Sequence, residues 1–224
     1  MLGTGVRKEV GMDLSGLSRQ ERIVALRTRM EAVGAAPAPE VTSADVLPVP
    51  RGLDLQLARQ MVCQVSDTPA FIVELIRAVV ADNNFVAIVG WPELLLAELQ
   101  CGLERIVAVP DPGPDPLNTV AVLTEGMDLV LYRTEVPLEL SPVRARPLLG
   151  KLRKSHAVLL LVNVRVSSPQ LSITARVSDY QGIGPGVGRI RGMNMTVHIV
   201  GKTGVTTQSL TVGSVSQKPQ LRVV

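Results

Sequence analysis

A chain of 224 residues, 46% of them apolar, is long enough for one ordinary domain with a real core and too short for two comfortable ones. Its mean hydropathy of +0.28 excludes a disordered or solvating protein, and no apolar run reaches the ~18–20 residues of a membrane span. The formal net charge of +3 is unevenly spread: Ser141 to Val224 holds twelve Lys and Arg against one acid, Asp179, while Arg51 to Leu140 holds five against thirteen.

That asymmetry points to an acidic partner, nucleic acid or protein, for the C-terminal third. The opening Met1-Leu-Gly-Thr-Gly-Val-Arg-Lys-Glu has no apolar stretch behind its charges, so a soluble cytoplasmic chain without a secretory signal is expected. Cys63 and Cys101 lie far apart, and with only His156 and His198 they lack metal-ligand spacing. No metal is expected, and both cysteines read as buried apolar residues. Aromatic side chains are 2% of the chain, so the core must be built from Val, Leu, Ile and Ala.

In chain order, Ser18-Arg-Gln-Glu21 is a capping box that opens a helix to about Val33. Its apolar stripe, Ile23, Leu26, Met30 and Val33, runs beside four arginines. Four prolines between Gly34 and Pro50 make the next stretch a linker, so residues 1–50 are expected to form a helical arm outside the core, with Leu26 and Met30 as partner-binding anchors. Short apolar runs then alternate with helical patterns. Strands are expected at Met61–Val65, Phe85–Val89, Arg105–Val109, Asp128–Tyr132 and Ala157–Val164; helices at Pro69–Ala81, Pro92–Cys101, Asp115–Glu125 and Pro142–Lys154. Strands that are continuously apolar require a parallel sheet covered by helices on both faces. Beyond Val164 the pattern alternates: Leu171–Tyr180 and Arg189–Val200 flank Gly182-Ile-Gly-Pro-Gly-Val-Gly188 as an antiparallel hairpin, with one more strand near Gln208–Val212 and mobile last residues. The expected organisation is an arm over 1–50, an α/β domain over 51–202 and a tail over 203–224.

Three segments carry a family resemblance: Gly102-Leu-Glu-Arg-Ile-Val-Ala-Val-Pro-Asp-Pro-Gly113, Gly126-Met-Asp-Leu-Val-Leu-Tyr-Arg133 and Ser155-His-Ala-Val-Leu-Leu-Leu-Val-Asn163. With the order of elements from Gln60 to Lys202, they resemble the RecA-type core in the shortened form of ImuA proteins and the related SulA division inhibitors. Pro110-Asp-Pro-Gly-Pro-Asp115 and the glycine-rich hairpin are most similar to the actinobacterial ImuA branch. The resemblance implies a RecA-like fold and an accessory role in DNA-damage-induced translesion synthesis, with the adaptor ImuB, RecA and an error-prone polymerase as partners.

ATP chemistry is not expected to survive. A P-loop needs glycines, so that successive amides can wrap a phosphate, and a lysine for counter-charge. The turn here, Val65-Ser-Asp-Thr-Pro-Ala-Phe-Ile-Val, has neither, and Asp67 repels a phosphate. By the resemblance, the water-activating acid falls at Gly90-Trp91 with Glu93 two residues late. The metal-holding acid falls at Arg133, and the γ-phosphate sensor at Val164. No catalytic residue, cofactor or metal ligand is assigned. The DNA-binding loops of RecA proteins correspond to Glu135–Leu140 and Arg165–Gln170, short and without glycine, so filament-type DNA binding is not expected.

Arg144, Arg146, Lys151, Arg153 and Lys154 read either as a contact patch, with Arg144, Arg153 and Lys154 as partner-binding residues, or as a solvated helix face. Pro147 is expected to kink or split that helix. Trp91 reads as a sheet-edge residue before a nucleotide-stacking one, Gly182–Gly188 as a hairpin turn before a phosphate cradle, and Asp115 as a helix cap before a metal ligand. The functional expectation is a catalytically silent adaptor with ImuB-like, RecA or self contacts and no membrane. Alternatives are a SulA-like division inhibitor, a weak nucleotide-binding enzyme and a direct DNA-binding module.

Overall fold

A computed structural model describes residues 46–213 apart from 100, 185 and 203, so the expected helix at Ser18–Val33, with Leu26 and Met30, and the last residues lie outside the described residues. Two short strands, β1 (Val46–Leu47) and β2 (Leu57–Ala58), pair with each other. The main sheet is built from β3 (Val62–Val65), β4 (Val86–Val89), β5 (Ile106–Val109), β6 (Leu129–Leu140), β7 (Val158–Val166), β8 (Leu171–Gly184), β9 (Val187–Gly201) and β10 (Gly204–Val212). Its order is β10-β9-β8-β3-β7-β6-β4-β5. The run from β8 to β5 is parallel, and β9 is antiparallel to both its neighbours. Three helices accompany it: α1 (Pro69–Ala81), α2 (Pro116–Leu123) and α3 (Pro142–Leu152). This is the expected α/β class, a mostly parallel sheet with a C-terminal antiparallel hairpin.

Side chains alternate across the central strands with period two, which divides the core into two layers. Cys63, Ile88, Leu131 and Leu160 face α1, whose Phe71, Ile72, Leu75, Ile76 and Val79 are fully buried. Ala87, Val89, Val130 and Leu159 face the other way, onto Val120 and Ala121 of α2 and Ala145, Leu148 and Leu152 of α3. β4 and the Val158–Val162 part of β7 are apolar without interruption because both their faces are covered. β5, at the edge, is half exposed. Each fully buried aliphatic side chain contributes about 1.5–3 kcal/mol, so helices on both faces are what holds this aromatic-poor core together.

Several expectations need correction. No helix forms over Pro92–Cys101: the buried side chains are Trp91, Leu94 and Leu99, spaced by three and then five, while Leu95 is 80% exposed. Such spacing marks no helical face, and Leu94 N–H to Trp91 O and Leu99 N–H to Leu96 O close only isolated turns. Cys63 is buried as expected, but Cys101, which follows this irregular stretch, is exposed. α3 runs unbroken through Pro147. Val143, whose carbonyl loses its partner there, is itself 82% exposed, so water can serve the orphaned group. Pro48–Pro50 is not a free linker, since Leu47 is buried and Val49 packs against the α1-side core. The α/β domain does not end at 202, because the strand expected near Gln208–Val212 is part of β10, whose Leu210 and Val212 are buried.

The largest difference concerns β6, which extends through the first expected loop, and β7, which runs two residues into the second. Val162 pairs with Val65 at the top of β3, yet Gln170, eight residues on, is bonded to Val62 at its base. The chain must therefore double back, and it does so at Asn163, whose φ of 59° is left-handed. β6 follows on the outside of the bend, with Thr134 to Pro137 opposite the single residue Asn163 before pairing resumes at Leu138 and Val164. Beyond the corner, Leu140 and Val164 are buried in the α3-side core. Glu135–Leu140, expected as a loop, is thus strand, and so are Arg165 and Val166 of the second expected loop, while Ser167–Gln170 remain a connection between strands.

Candidate functional site

In open α/β sheets the carboxyl ends of the parallel strands form the usual ligand crevice. Here that edge is built from the turn after β3, the tip of β4, the bend of β6 and the corner of β7. The β3–α1 turn is stitched inward: Thr68 Oγ1 donates to Ala175 O at 2.9 Å, and Ser66 Oγ accepts from Ala175 N–H at 2.9 Å. The amides of Ser66, Thr68, Phe71 and Ile72 all donate to backbone carbonyls, and Pro69 has none to offer. α1 accordingly starts without a side-chain cap.

Arg133 is the hub of this edge. Its Nε donates to Asp67 Oδ2 at 3.0 Å, its Nη1 lies 3.6 Å from Glu93 Oε2, and its guanidinium stacks on Trp91 at 4.9 Å from the ring centre. Asn163 completes the cluster: Nδ2 donates to Asp67 Oδ2 at 3.0 Å and to Thr134 O at 3.1 Å, and Thr134 Oγ1 donates to Asn163 O at 3.2 Å. At the tip of β4, Gly90 has φ 72°, and a Cβ there would run into the Arg133 carbonyl oxygen. Beside this cluster a cavity of about 370 Å³ is lined by Gln64, Asp67, Asn163, Arg165 and Ser172. The arrangement places a cation where the resemblance put a metal-holding acid and neutralises Asp67 with it.

The residues singled out in sequence at this edge, Asp67, Gly90, Trp91, Glu93 and Arg133, therefore do converge. Trp91 is buried under Arg133 rather than closing a sheet edge. Val164 lies buried past the corner, and Asn163, not singled out, is the residue that reaches the site. Its signal was present as one amide inside the run Leu159-Leu-Leu-Val-Asn-Val164, since Asn is the residue after Gly most tolerant of the left-handed region. Asp115 caps α2 by accepting from Asn118 N–H at 3.3 Å, and Gly182–Gly188 forms the hairpin end, as expected. Asp111 accepts from Gly113 N–H, which shapes its own loop.

The five cations around α3 do not form one patch. Arg144, Arg153 and Lys154 are exposed, but Lys151 pairs with Glu125 near the end of α2 at 3.0 Å. Arg144 lies close enough to Tyr132 to act on its phenol, which burial pushes up and the Arg144 charge pulls back down. Arg146 and Arg153 instead flank a groove of about 560 Å³ between α3 and the segment that returns from β7 to β8. Among the described residues no carboxylate lies within ion-pair distance of Arg144, Arg146, Arg153 or Lys154. No helix of the described residues is long and apolar enough to cross a membrane.

The MT3502 N-terminal domain family model matches residues 50–168, from the buried N-terminal segment to the connection after β7. The uncharacterized protein Rv3395c of Mycobacterium tuberculosis (strain ATCC 25618 / H37Rv) is 31% identical over 144 residues, 60% of this chain and 70% of its own length. Among solved structures, the RadB recombinase is similar with a TM-score of 0.43 and 12% identity, covering 66% of this chain and 91% of that one.

Proposed function

We propose that this chain, which belongs to the MT3502 N-terminal domain family, is a non-catalytic RecA-like accessory protein of DNA-damage-induced translesion synthesis. It works in the cytoplasm as an adaptor for an ImuB-like polymerase homologue, RecA and an error-prone polymerase. The observation that carries the non-catalytic reading is the Arg133 guanidinium on the Asp67 carboxylate. A phosphate arriving at that edge meets an acid already paired, no lysine, and the Ser66, Thr68, Phe71 and Ile72 amides bonded within the fold. The translesion role is supported by the resemblance of Gly102–Gly113, Gly126–Arg133 and Ser155–Asn163 to ImuA proteins. Partners dock through Arg144, Arg153 and Lys154, and through Leu26 and Met30 of the arm.

Two measurements on the full chain test this. With Mg-ATP, no turnover and no rise in melting temperature are expected, whereas a ligand at ~100 Kd would stabilise the fold by about 2.7 kcal/mol. From DNA-damaged cells, the tagged chain is expected to co-purify an ImuB-like protein or RecA. Recovery of the division GTPase alone would replace this reading with that of a SulA-like inhibitor.

A further inference from the structure

We infer that the groove between α3 and the return segment after β7 is a docking site for an acidic protein segment anchored by an aliphatic side chain. The inference deepens the adaptor reading and rests on it, naming the chemistry of the partner and moving the contact from the whole basic face to one groove.

The groove exists because β7 turns back at Asn163, so that Val166 to Gln170 run alongside α3. Its floor is aliphatic, with Ala145, Leu149 and Val166. One wall carries Arg146 of α3 and Arg153, the residue that ends it, both exposed. The other wall offers Ser167 and Ser168, polar and uncharged. Between the two arginines sits Gly150, and nothing lies within 4 Å of the place its Cβ would take. That leaves a notch in the helix surface with a positive charge on either side.

Charge complementarity selects the occupant. Seven residues along a helix is about 10 Å, so the two guanidiniums match two carboxylates seven positions apart on a partner helix, with one aliphatic residue between them entering the notch. Among the described residues from Ser141 onward only Asp179 is acidic, and it does not line the groove, so no carboxylate of the groove itself competes. Nucleic acid fits less well: its phosphates gain nothing from an aliphatic floor, and no aromatic side chain lines the groove to stack a base.

The probe is a fluorescent helical peptide of about 16 residues, long enough to form a helix, with two glutamates seven positions apart flanking a leucine on an alanine and glutamine background. Binding to the full chain is expected. Reversing both arginines (Arg146→Glu with Arg153→Glu) should weaken it on the order of tenfold at low salt and much less at high salt. Gly150→Leu fills the notch and should weaken it on the order of tenfold at both salts, since exclusion by volume is not screened. The charge-matched control, Arg189→Glu with Arg191→Glu on β9, should change affinity by less than about threefold, as charges outside the groove contribute little. Equal melting temperatures establish that all variants are folded. No binding by the wild-type chain, equal binding by the groove variants, or displacement of the peptide by a mixed-sequence DNA duplex overturns the proposal. Partner recovery from cells that is unaffected by the groove variants overturns the groove alone. Peptide binding without recovery of an ImuB-like protein or RecA overturns the adaptor reading alone.

Discussion

The Asn163 side-chain amide donates to the Asp67 carboxylate at 3.0 Å, so the residue that turns β7 back on itself also holds the turn after β3. Its second hydrogen goes to the Thr134 carbonyl on the outer strand of the same bend. The corner and the charged edge are one construction. Asn163→Ala loses both hydrogen bonds and leaves a side chain in the left-handed region, at a cost of about 2–4 kcal/mol. Asn163→Gly loses the same bonds without the strain and should be about 1 kcal/mol more stable than the alanine variant. Denaturant midpoints decide it, and an alanine variant as stable as the glycine one would mean the corner carries no strain.

Gly90 and Gly113 have nearly the same φ, 72° and 73°, but different surroundings. At Gly113 an added methyl meets nothing within 4 Å, so Gly113→Ala costs only backbone strain, about 1 kcal/mol. At Gly90 the methyl meets the Arg133 carbonyl oxygen, so Gly90→Ala carries that strain plus a displaced strand tip and should cost at least about 3 kcal/mol. Equal losses of melting temperature in the two variants would contradict the close approach of β4 and β6.

Burial pushes the Cys63 thiol up to about 12. In the unfolded chain a thiol titrates near 8.5. Between those values the unfolded state has lost its proton and the folded state has kept it, so stability is fully present below about pH 8.5 and falls as pH rises towards 12. By pH ~10 the loss attributable to Cys63 should reach about 2 kcal/mol, and Cys63→Ala should decline less steeply over the same range. At neutral pH, iodoacetamide should add once to the native protein, at exposed Cys101, and a second time only in denaturant. Two rapid adducts on the native chain would place Cys63 outside the core.

Pro147 sits in mid-helix with its ring exposed. Pro147→Ala restores a backbone donor for the Val143 carbonyl and a better helix former, and should stabilise the protein by about 1–3 kcal/mol. Since Pro147 does not line the groove on α3, peptide affinity there should not change. A destabilised variant would show that the proline ring makes a contact the helix needs.

Periodicity made the parallel core legible. α1 occupies the expected Pro69–Ala81, and the cap at Asp115 and the strand ends at Val65 and Val89 agree with the apolar runs that announced them. The fold-back was not legible, because Thr134-Glu-Val-Pro-Leu-Glu-Leu140 reads locally as a polar connection. What makes it strand is tertiary, namely the packing of Leu138 and Leu140 against the α3-side core. Asp67 and Arg133 were each noticed as misfits to ATP chemistry, but 66 residues separate them, and no local pattern announces that two misfits answer each other. The helix expected over Pro92–Cys101 misled for the opposite reason, since Leu94, Leu95 and Leu96 are consecutive and mark no helical face.

β3 is four residues long and β8 is fourteen. Their last rung joins Val65 to Ile173, and the Ser66 and Thr68 hydroxyls extend the contact to Ala175. From Arg176 to Gly184 the outer side of β8 has no strand beside it among the described residues. A free edge of that length, with exposed Val177, Tyr180 and Ile183, is a template on which another copy of the chain can add a strand and go on adding. Two pairing irregularities, between Val177 and Asp179 and between Gln181 and Ile183, break the straight ladder such growth needs, and Arg176 and Asp179 put charges along it. Keeping the hairpin from seeding aggregates thus falls to its irregularities, and a variant that straightened β8 would become less soluble while its core stayed intact.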